Sequence, residues 1–264
     1  MAHIEYAINS LYNELPQWKE FVDQLPERFN QSDEVLYEKR NTIKRLSVNG
    51  ESCVVKRFKQ PNFIQLLGLM LGWQSKAEKA YYNGHELLRR GITTPQPIAY
   101  VTKTTDSFTV LAYYVCEYVE LTPVRDAFRQ AEGYDHEVAA AFAAFAASLH
   151  RAGVLHDDLN STNTLYERDD SCKIRFSVID INRMRFKSKC PSLTDCLENL
   201  TRFTGDMTLF KEVAEHYADI MADTFGMKRE RLVEMAIRQK EKHDAQWSRR
   251  KGFLKIFKKS KNKK

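Results

Sequence analysis

The chain has 264 residues, 43% hydrophobic and 29% charged, so it is long enough to bury the core of one large domain or of two lobes. Five cysteines without a C-x-x-C pair are typical of a reducing compartment and argue against a disulfide framework. We expect a cytoplasmic protein, because residues 1–10 do not resemble a signal peptide and no apolar run reaches the ~20 residues that cross a bilayer.

The first predicted elements are a helical extension at residues 1–33 and strands at residues 35–48 and 53–58. Residues 39–42 form a polar turn within the first of these strands. The second strand is apolar but carries Lys56, a residue type that kinase-like folds use on a strand to hold the ATP phosphates.

An apolar stretch at residues 61–73 is too short to span a membrane and has two interpretations. It is either a helix packed on the core, as apolar runs usually are, or an exposed patch that faces a membrane. The helix that follows, residues 75–90, contains two acidic residues that could pair with the strand lysine. Of these, Glu78 in the first turn is preferred to Glu86.

The middle of the chain predicts a buried strand at residues 110–119 and a buried helix at residues 138–150. The helix is apolar on nearly every side, and its many alanines permit close packing. It leads directly into the most specific motif of the sequence. After Asp180 the pattern becomes mainly helical as far as Trp247.

That motif is H-x-D-L-x-x-x-N, formed by His156, Asp158, Leu159 and Asn163. In kinase-type phosphotransfer, the Asp of this pattern accepts the proton of the attacking hydroxyl, and the Asn binds a magnesium ion that bridges the ATP phosphates. Singly, such polar residues often only cap helices or satisfy turns. Their joint spacing predicts a phosphotransferase in which Asp158 is the base and His156 braces the loop.

A second carboxylate follows at Asp180, at the end of an apolar strand. Residues 164–168 and 173–180 read as the two strands of a hairpin. We therefore expect Asp180 to return beside Asn163, where both would bind Mg²⁺, while Lys56 and Glu78 would contribute to the ATP site.

The catalytic segments resemble those of the bacterial lipopolysaccharide kinase family, which includes kinases of the inner-core sugars 3-deoxy-manno-octulosonic acid (Kdo) and heptose. The similarity is most specific in H-R-A-G-V-L-H-D-D-L-N-S-T-N-T-L at residues 150–165 and I-D-I-N-R-M-R at residues 179–185. Residues 39–42, 55–58 and 75–78 are similar to the family's small lobe and its following helix.

The resemblance implies an α+β, protein-kinase-like fold with a small antiparallel-sheet lobe and a mainly helical large lobe. It also implies ATP-dependent phosphorylation of a lipid A-linked sugar at the inner face of the inner membrane. The predicted segments are the N-terminal extension (1–33), the small ATP-binding lobe (34–119), the catalytic large lobe (120–248) and a basic tail (249–264).

Two departures from protein kinases make protein substrates less favoured. Asp157 stands where those enzymes usually carry arginine, and Asp180 begins D-I-N instead of D-F-G. No A-P-E segment follows. Basic residues just beyond Asp180 are candidates for binding an anionic glycolipid. They are Arg183, Arg185, Lys187 and Lys189.

The net charge of +6 belongs to the tail, since residues 249–264 contain nine Lys or Arg and no acid, which leaves 6 − 9 = −3 for the rest. Basic and apolar residues alternate there, which suits contact with an anionic membrane surface, although a disordered solubilising end has a similar composition. Nucleic acid is not expected as a partner. The chain is expected to be a monomer.

Two alternative functions remain open. An aminoglycoside- or choline-type phosphotransferase shares the motif, but its cationic acceptors would need an acidic pocket. A non-catalytic kinase-like binding module is disfavoured by the joint presence of Lys56, Asp158, Asn163 and Asp180.

Overall fold

A computed structural model describes the backbone of residues 3–105 and 109–261 and the side chains of residues 4–105 and 109–250. The chain divides into two compact units. The first contains the residues up to Glu120 together with Ser177–Arg183, and the second contains Leu121–Phe176 and the residues from Met184 onward. No helix in the described ranges is long and apolar enough to cross a membrane.

A six-stranded antiparallel sheet forms the centre of the first unit, in the order β1-β5-β6-β4-β3-β2. Its strands are β1 (His3–Ile8), β2 (Val35–Glu38), β3 (Thr42–Val48), β4 (Glu51–Phe58), β5 (Pro97–Thr104) and β6 (Val110–Glu117). The polar turn at residues 39–42 separates β2 from β3. The β3–β4 turn is made by Asn49 and Gly50, both with positive φ, as short hairpins require.

The N-terminal extension is not purely helical, which corrects the prediction for residues 1–33. Its strand β1 pairs along its length with β5, from His3 opposite Thr104 to Ile8 opposite Ala99. Only then do α1 (Ser10–Asn13), α2 (Pro16–Asp23) and α3 (Leu25–Gln31) follow. The signal was the short alternating run at residues 3–8, which the helical prediction overlooked.

The core of the first unit lies between α2, α3 and one face of the sheet. Trp18, Phe21 and Phe29 are buried from the helices, and the sheet contributes Val55 and Tyr113. Edge-to-face contacts join Trp18 to Phe21 and Phe29 to Tyr113, the arrangement that aromatic rings prefer. The sheet that carries Lys56 therefore has a rigid backing.

Two further helices of the first unit are α4 (Phe63–Met70) and α5 (Lys76–Arg89). Helix α5 packs on the sheet and on the short 3-10 turn Ile181–Arg183. Gly84 permits this close approach, because a Cβ there would lie 2.4 Å from Pro97 and 3.2 Å from Ile181. The Asn83 amide donates a hydrogen bond to the Ile181 carbonyl at 2.8 Å. Helix α5 thus supports the segment that contains Asp180.

The second unit is mainly helical. Its helices are α6 (Val124–Ala127), α7 (His136–Arg151), α8 (Leu193–Leu200), α9 (Met207–Met221) and α10 (Arg229–Lys261). Its strands are β7 (Thr122–Pro123), β8 (Val154–His156), β9 (Thr164–Arg168) and β11 (Met184–Phe186), and β10 (Ile174–Val178) begins in it. Buried Phe142, Phe203 and Phe210 join α7 to α9. This core supports the chain as it enters the H-x-D-L-x-x-x-N motif.

Candidate active site

The loop after β8 holds Asp158 and Asn163 together, within the second unit. The Asn163 side-chain amide donates to the Asp158 carbonyl at 3.0 Å, and the Asn160 amide donates to Asp158 Oδ1 at 3.1 Å. The Asp158 backbone N–H donates to Nδ1 of His156 at 3.2 Å. His156 is fully buried and accepts this bond, an arrangement that suits a bracing side chain. The loop therefore presents the Asp158 carboxylate in a set orientation.

A buried chain of hydrogen bonds supports this loop from behind. The Asn199 amide on α8 donates to the His156 carbonyl at 2.6 Å, and its Oδ1 lies 3.1 Å from His150 Nε2. His150 Nδ1 in turn lies 2.7 Å from the Tyr217 hydroxyl on α9. Sequence reasoning missed these residues. The available signal was a histidine and an asparagine on otherwise apolar helix faces.

Burial lowers the pKa of His150 to about 4, below its ordinary value of 6.5, so the ring is neutral in the folded protein at pH 7. Between pH 4 and pH 6.5, the unfolded chain binds a proton at this histidine and the folded chain does not. The contribution of neutral His150 to the free energy of unfolding is therefore fully present above about pH 6.5 and is lost as the pH falls toward 4.

We expect the free energy of unfolding to decrease by about 3 kcal/mol from this group as the pH falls from 7 to 4. Urea unfolding of the wild type and of His150→Gln at a series of pH values measures this. Glutamine keeps an amide donor and an acceptor but cannot take a charge, so the variant should lose this part of the pH dependence. Equal pH dependence in both proteins would contradict the assignment.

The residue beside the proposed base has a structural partner. Arg185 on β11 contacts the Asp157 carboxylate through Nε at 3.1 and 3.0 Å and through Nη2 at 2.9 Å. Strands β8 and β11 pair antiparallel, with Arg185 opposite Leu155. The pair fixes the two strands that flank the loop. Arg185, one of the predicted acceptor-binding cations, is thus already bound to a carboxylate.

Lys56 and Asp180 form an ion pair in the first unit. The Lys56 ammonium on β4 donates to Asp180 Oδ1 at 2.5 Å, although 124 positions separate them in sequence. The Lys56 side chain is only 11% exposed. Asp180 has φ of 58°, a left-handed conformation that is uncommon outside glycine and is often found at functional sites. The backbone there turns the carboxylate toward β4.

The predicted pairing of Lys56 with Glu78 does not form among the described residues. Glu78 is the third residue of α5 and accepts from the Ser75 backbone N–H at 3.3 Å, while Ser75 Oγ accepts from the Glu78 N–H. This reciprocal pair is a capping box. Glu86, the other candidate, pairs with Arg89 and Arg90, each at 2.7 Å. Glu78 thus starts the helix in this structure.

Lys56 is one of four cations in the first unit that influence one another. The pKa of Lys76 is lowered, first by burial and then by the positive charges of Arg40, Arg183 and Lys56. Arg40 comes from the polar turn at residues 39–42, between β2 and β3. The ion pair with Asp180 balances one of these four charges, that of Lys56. Such a group of cations is suited to the oxygens of a polyphosphate.

Each unit, taken by itself, has side chains of the types that ATP and Mg²⁺ require. The Asp180 carboxylate is a hard oxygen ligand of the kind that magnesium takes in nucleotide sites, and Lys56 lies within bonding distance of it. Asn163, on the loop of the second unit, also has a side-chain oxygen of a type that kinases use for magnesium. That Asn163 and Asp180 serve one ion stays a prediction.

These features define a kinase-type phosphotransferase fold: an antiparallel sheet with a strand lysine paired to an Asp, and a helical unit with an Asp and an Asn on one loop. The family model described as lipopolysaccharide kinase (Kdo/WaaP) matches residues 75–211, just over half of the chain. The chain therefore belongs to this family and is a phosphotransferase that acts on a hydroxyl group. The family resemblance and the α+β kinase-like fold are confirmed.

Among solved structures, the chain is similar to one described as WaaP in complex with acyl carrier protein. The sequences are 18% identical, the TM-score is 0.59, and the match covers 90% of this chain and 98% of that chain. No curated protein sequence matches. The structural similarity supports the fold, and the family model supports the activity.

Proposed function

We propose that the protein transfers the γ-phosphate of ATP to a hydroxyl of an inner-core sugar, Kdo or heptose, carried on lipid A. The observation that carries this proposal is the Asp158 carboxylate. Its Oδ1 accepts from Asn160, and no hydrogen bond within the described part of the chain uses Oδ2. A carboxylate oxygen in a set position and without a partner is suited to accept the proton of a sugar hydroxyl.

The other predicted site residues would bind ATP and magnesium. Lys56 would hold the ATP phosphates, with Asp180 and Asn163 as ligands of magnesium. A bound magnesium ion would neutralise the charge that develops on the phosphate oxygens. Lys56 approaches from the rigid sheet and Asp180 from the turn that α5 supports, so orientation is largely set before the nucleotide binds.

We assign residues 34–119 to ATP binding and residues 120–248 to catalysis, and we infer that the protein acts as a monomer on the inner face of the inner membrane. The basic tail at residues 249–264 would contact anionic lipid. Helix α10 extends through Lys261, but the side chains from residue 251 lie outside the described residues. This contact therefore rests on the sequence.

The alternative small-molecule acceptors, aminoglycosides and choline-type amines, are cationic. The cations that lower the pKa of Lys76 would repel such molecules and attract an acceptor that carries carboxylates or phosphates. The positive charge of these residues favours the lipid-linked, anionic sugar as the acceptor. Loss of Mg–ATP binding in a thermal-shift experiment would instead favour a non-catalytic module.

An acceptor panel tests the proposal. ADP release should be stimulated by Kdo-bearing or heptose-bearing lipid A and not by an aminoglycoside or choline. Lipid A without inner-core sugars is the matched control, because it presents the same acyl chains and phosphates without the acceptor hydroxyl. Stimulation by the soluble amines alone would replace the proposal with the alternative function.

A further inference from the structure

Helix α4 and the turn after it expose an apolar surface. Exposed fractions reach 80% for Phe63, 69% for Ile64 and 70% for Leu71. Leu67, Met70 and Trp73 are also exposed. Isolated apolar side chains are common on protein surfaces, but a contiguous group of large ones indicates an interaction site. Residues 61–73 do contain a helix, but the exposure of these six side chains corrects the interpretation in which the apolar run packs on the core.

This helix is held by local contacts rather than by burial of its apolar face. Asn62 and Gln65 form a reciprocal capping box at its start. The Trp73 ring folds back over Gly68, so closely that a Cβ at Gly68 would lie 2.2 Å from it. Gly68 is the only buried residue of α4, all of which is described. The apolar face is thus ordered and left to solvent.

The surroundings of α4 are basic. A cavity of about 250 Å³ beside the helix is lined by Leu69 and Trp73 and by three lysines, and no carboxylate is among its lining residues. The lysines are Lys59, Lys76 and Lys79. Apolar side chains bordered by lysines complement a surface that is apolar inside and anionic at its boundary.

We propose that α4 and Leu71–Trp73 form a membrane-docking surface that inserts into the interface of an anionic bilayer. An eight-residue helix is about 12 Å long, too short to cross a bilayer but suited to lie in its plane. Trp73 is of the residue type that is enriched at this interface. A bilayer also accepts a convex apolar helix without a preformed groove.

The location of the surface fits the proposed function, on which this inference partly rests. Lys76 lines the cavity beside α4, and its pKa also responds to Arg40, Arg183 and Lys56. Lys76 therefore lies beside the docking surface and also within the electrostatic reach of Lys56, the partner of Asp180. Docking through α4 would bring a lipid-linked acceptor to the unit that holds these cations.

The test is co-sedimentation with vesicles of phosphatidylglycerol and phosphatidylethanolamine that contain no lipid A. The double variant Phe63→Glu and Ile64→Glu should reduce the vesicle-bound fraction by about tenfold. Glutamate in the first turn of a helix is compatible with the helix dipole, so folding should be retained. Leu11→Glu, at a residue 68% exposed in the first turn of α1, is the matched control and should bind like the wild type.

Tryptophan fluorescence separates this surface from the basic tail. The blue shift on vesicle binding should disappear in Trp73→Phe and persist in Trp247→Phe, whose substituted residue lies on α10 before the tail. The opposite result would assign membrane contact to α10 and overturn the proposal. So would self-association, or binding of acyl carrier protein, that depends on Phe63 and Ile64 while vesicle binding does not.

A transfer assay separates the docking surface from the proposed activity. Transfer to a detergent-dispersed acceptor does not need a bilayer, so the Phe63→Glu and Ile64→Glu variant should retain it. Loss of vesicle binding with retained transfer supports both proposals. Unchanged vesicle binding with retained transfer overturns only the docking surface.

Discussion

Asp158→Asn is expected to reduce the turnover number by about 10²- to 10⁴-fold, the range by which a positioned general base contributes. Asparagine is nearly isosteric and keeps the oxygen that accepts from Asn160, so the loop should remain in place. The substitution removes only the capacity to take the proton of the hydroxyl. Asp158→Ala should be at least as inactive.

Asp157→Asn is the matched control, because it removes the same charge one position earlier. Asp157 contacts Arg185 rather than the loop interior, so we expect a small effect on turnover. Nucleotide binding, measured by thermal shift with Mg–ATP, should be retained in both asparagine variants. Full turnover in Asp158→Asn would exclude this residue as the base.

Lys56→Met and Asp180→Asn are expected each to lower kcat/KM for ATP by about 10²- to 10³-fold, because each removes a charge placed for the phosphates. Methionine keeps the apolar stem that packs in the sheet, and asparagine tolerates the positive φ at position 180. The double variant should lose much less than the product of the single losses, since the two groups act as one pair.

Glu78→Gln decides the role of the third predicted residue of the ATP site. Glutamine at the third position of a helix preserves a capping box, so the start of α5 should stay intact. A loss as large as that of Lys56→Met would place Glu78 beside Lys56 in the ATP-bound enzyme, as the sequence predicts. Unchanged kcat/KM would restrict Glu78 to the cap.

Local features of the site were predictable because short-range chemistry determines them. Asp158 and Asn163 are five positions apart, and hydrogen bonds within one loop bring them together. The same holds for the helix start at Ser75 and the hairpin turn at Asn49 and Gly50. In each case the residue types and their spacing are sufficient to specify the backbone.

Long-range features were less accessible from sequence. The link of Tyr217 and His150 to Asn199 joins three helices, and no local pattern specifies which buried polar residues meet. The exposure of α4 was equally undetermined, because an apolar run has the same composition whether it packs on a core or faces a membrane. Both features depend on tertiary placement.

The mass of Kdo-bearing lipid A after incubation with the wild-type protein and Mg–ATP tests the proposed activity most directly. We expect the lipid to gain one phosphate, dependent on both ATP and Asp158. A heptose-containing core should be measured in parallel, since either sugar satisfies the proposal. Unchanged mass of both lipids, with a protein that binds Mg–ATP, would contradict the proposed function.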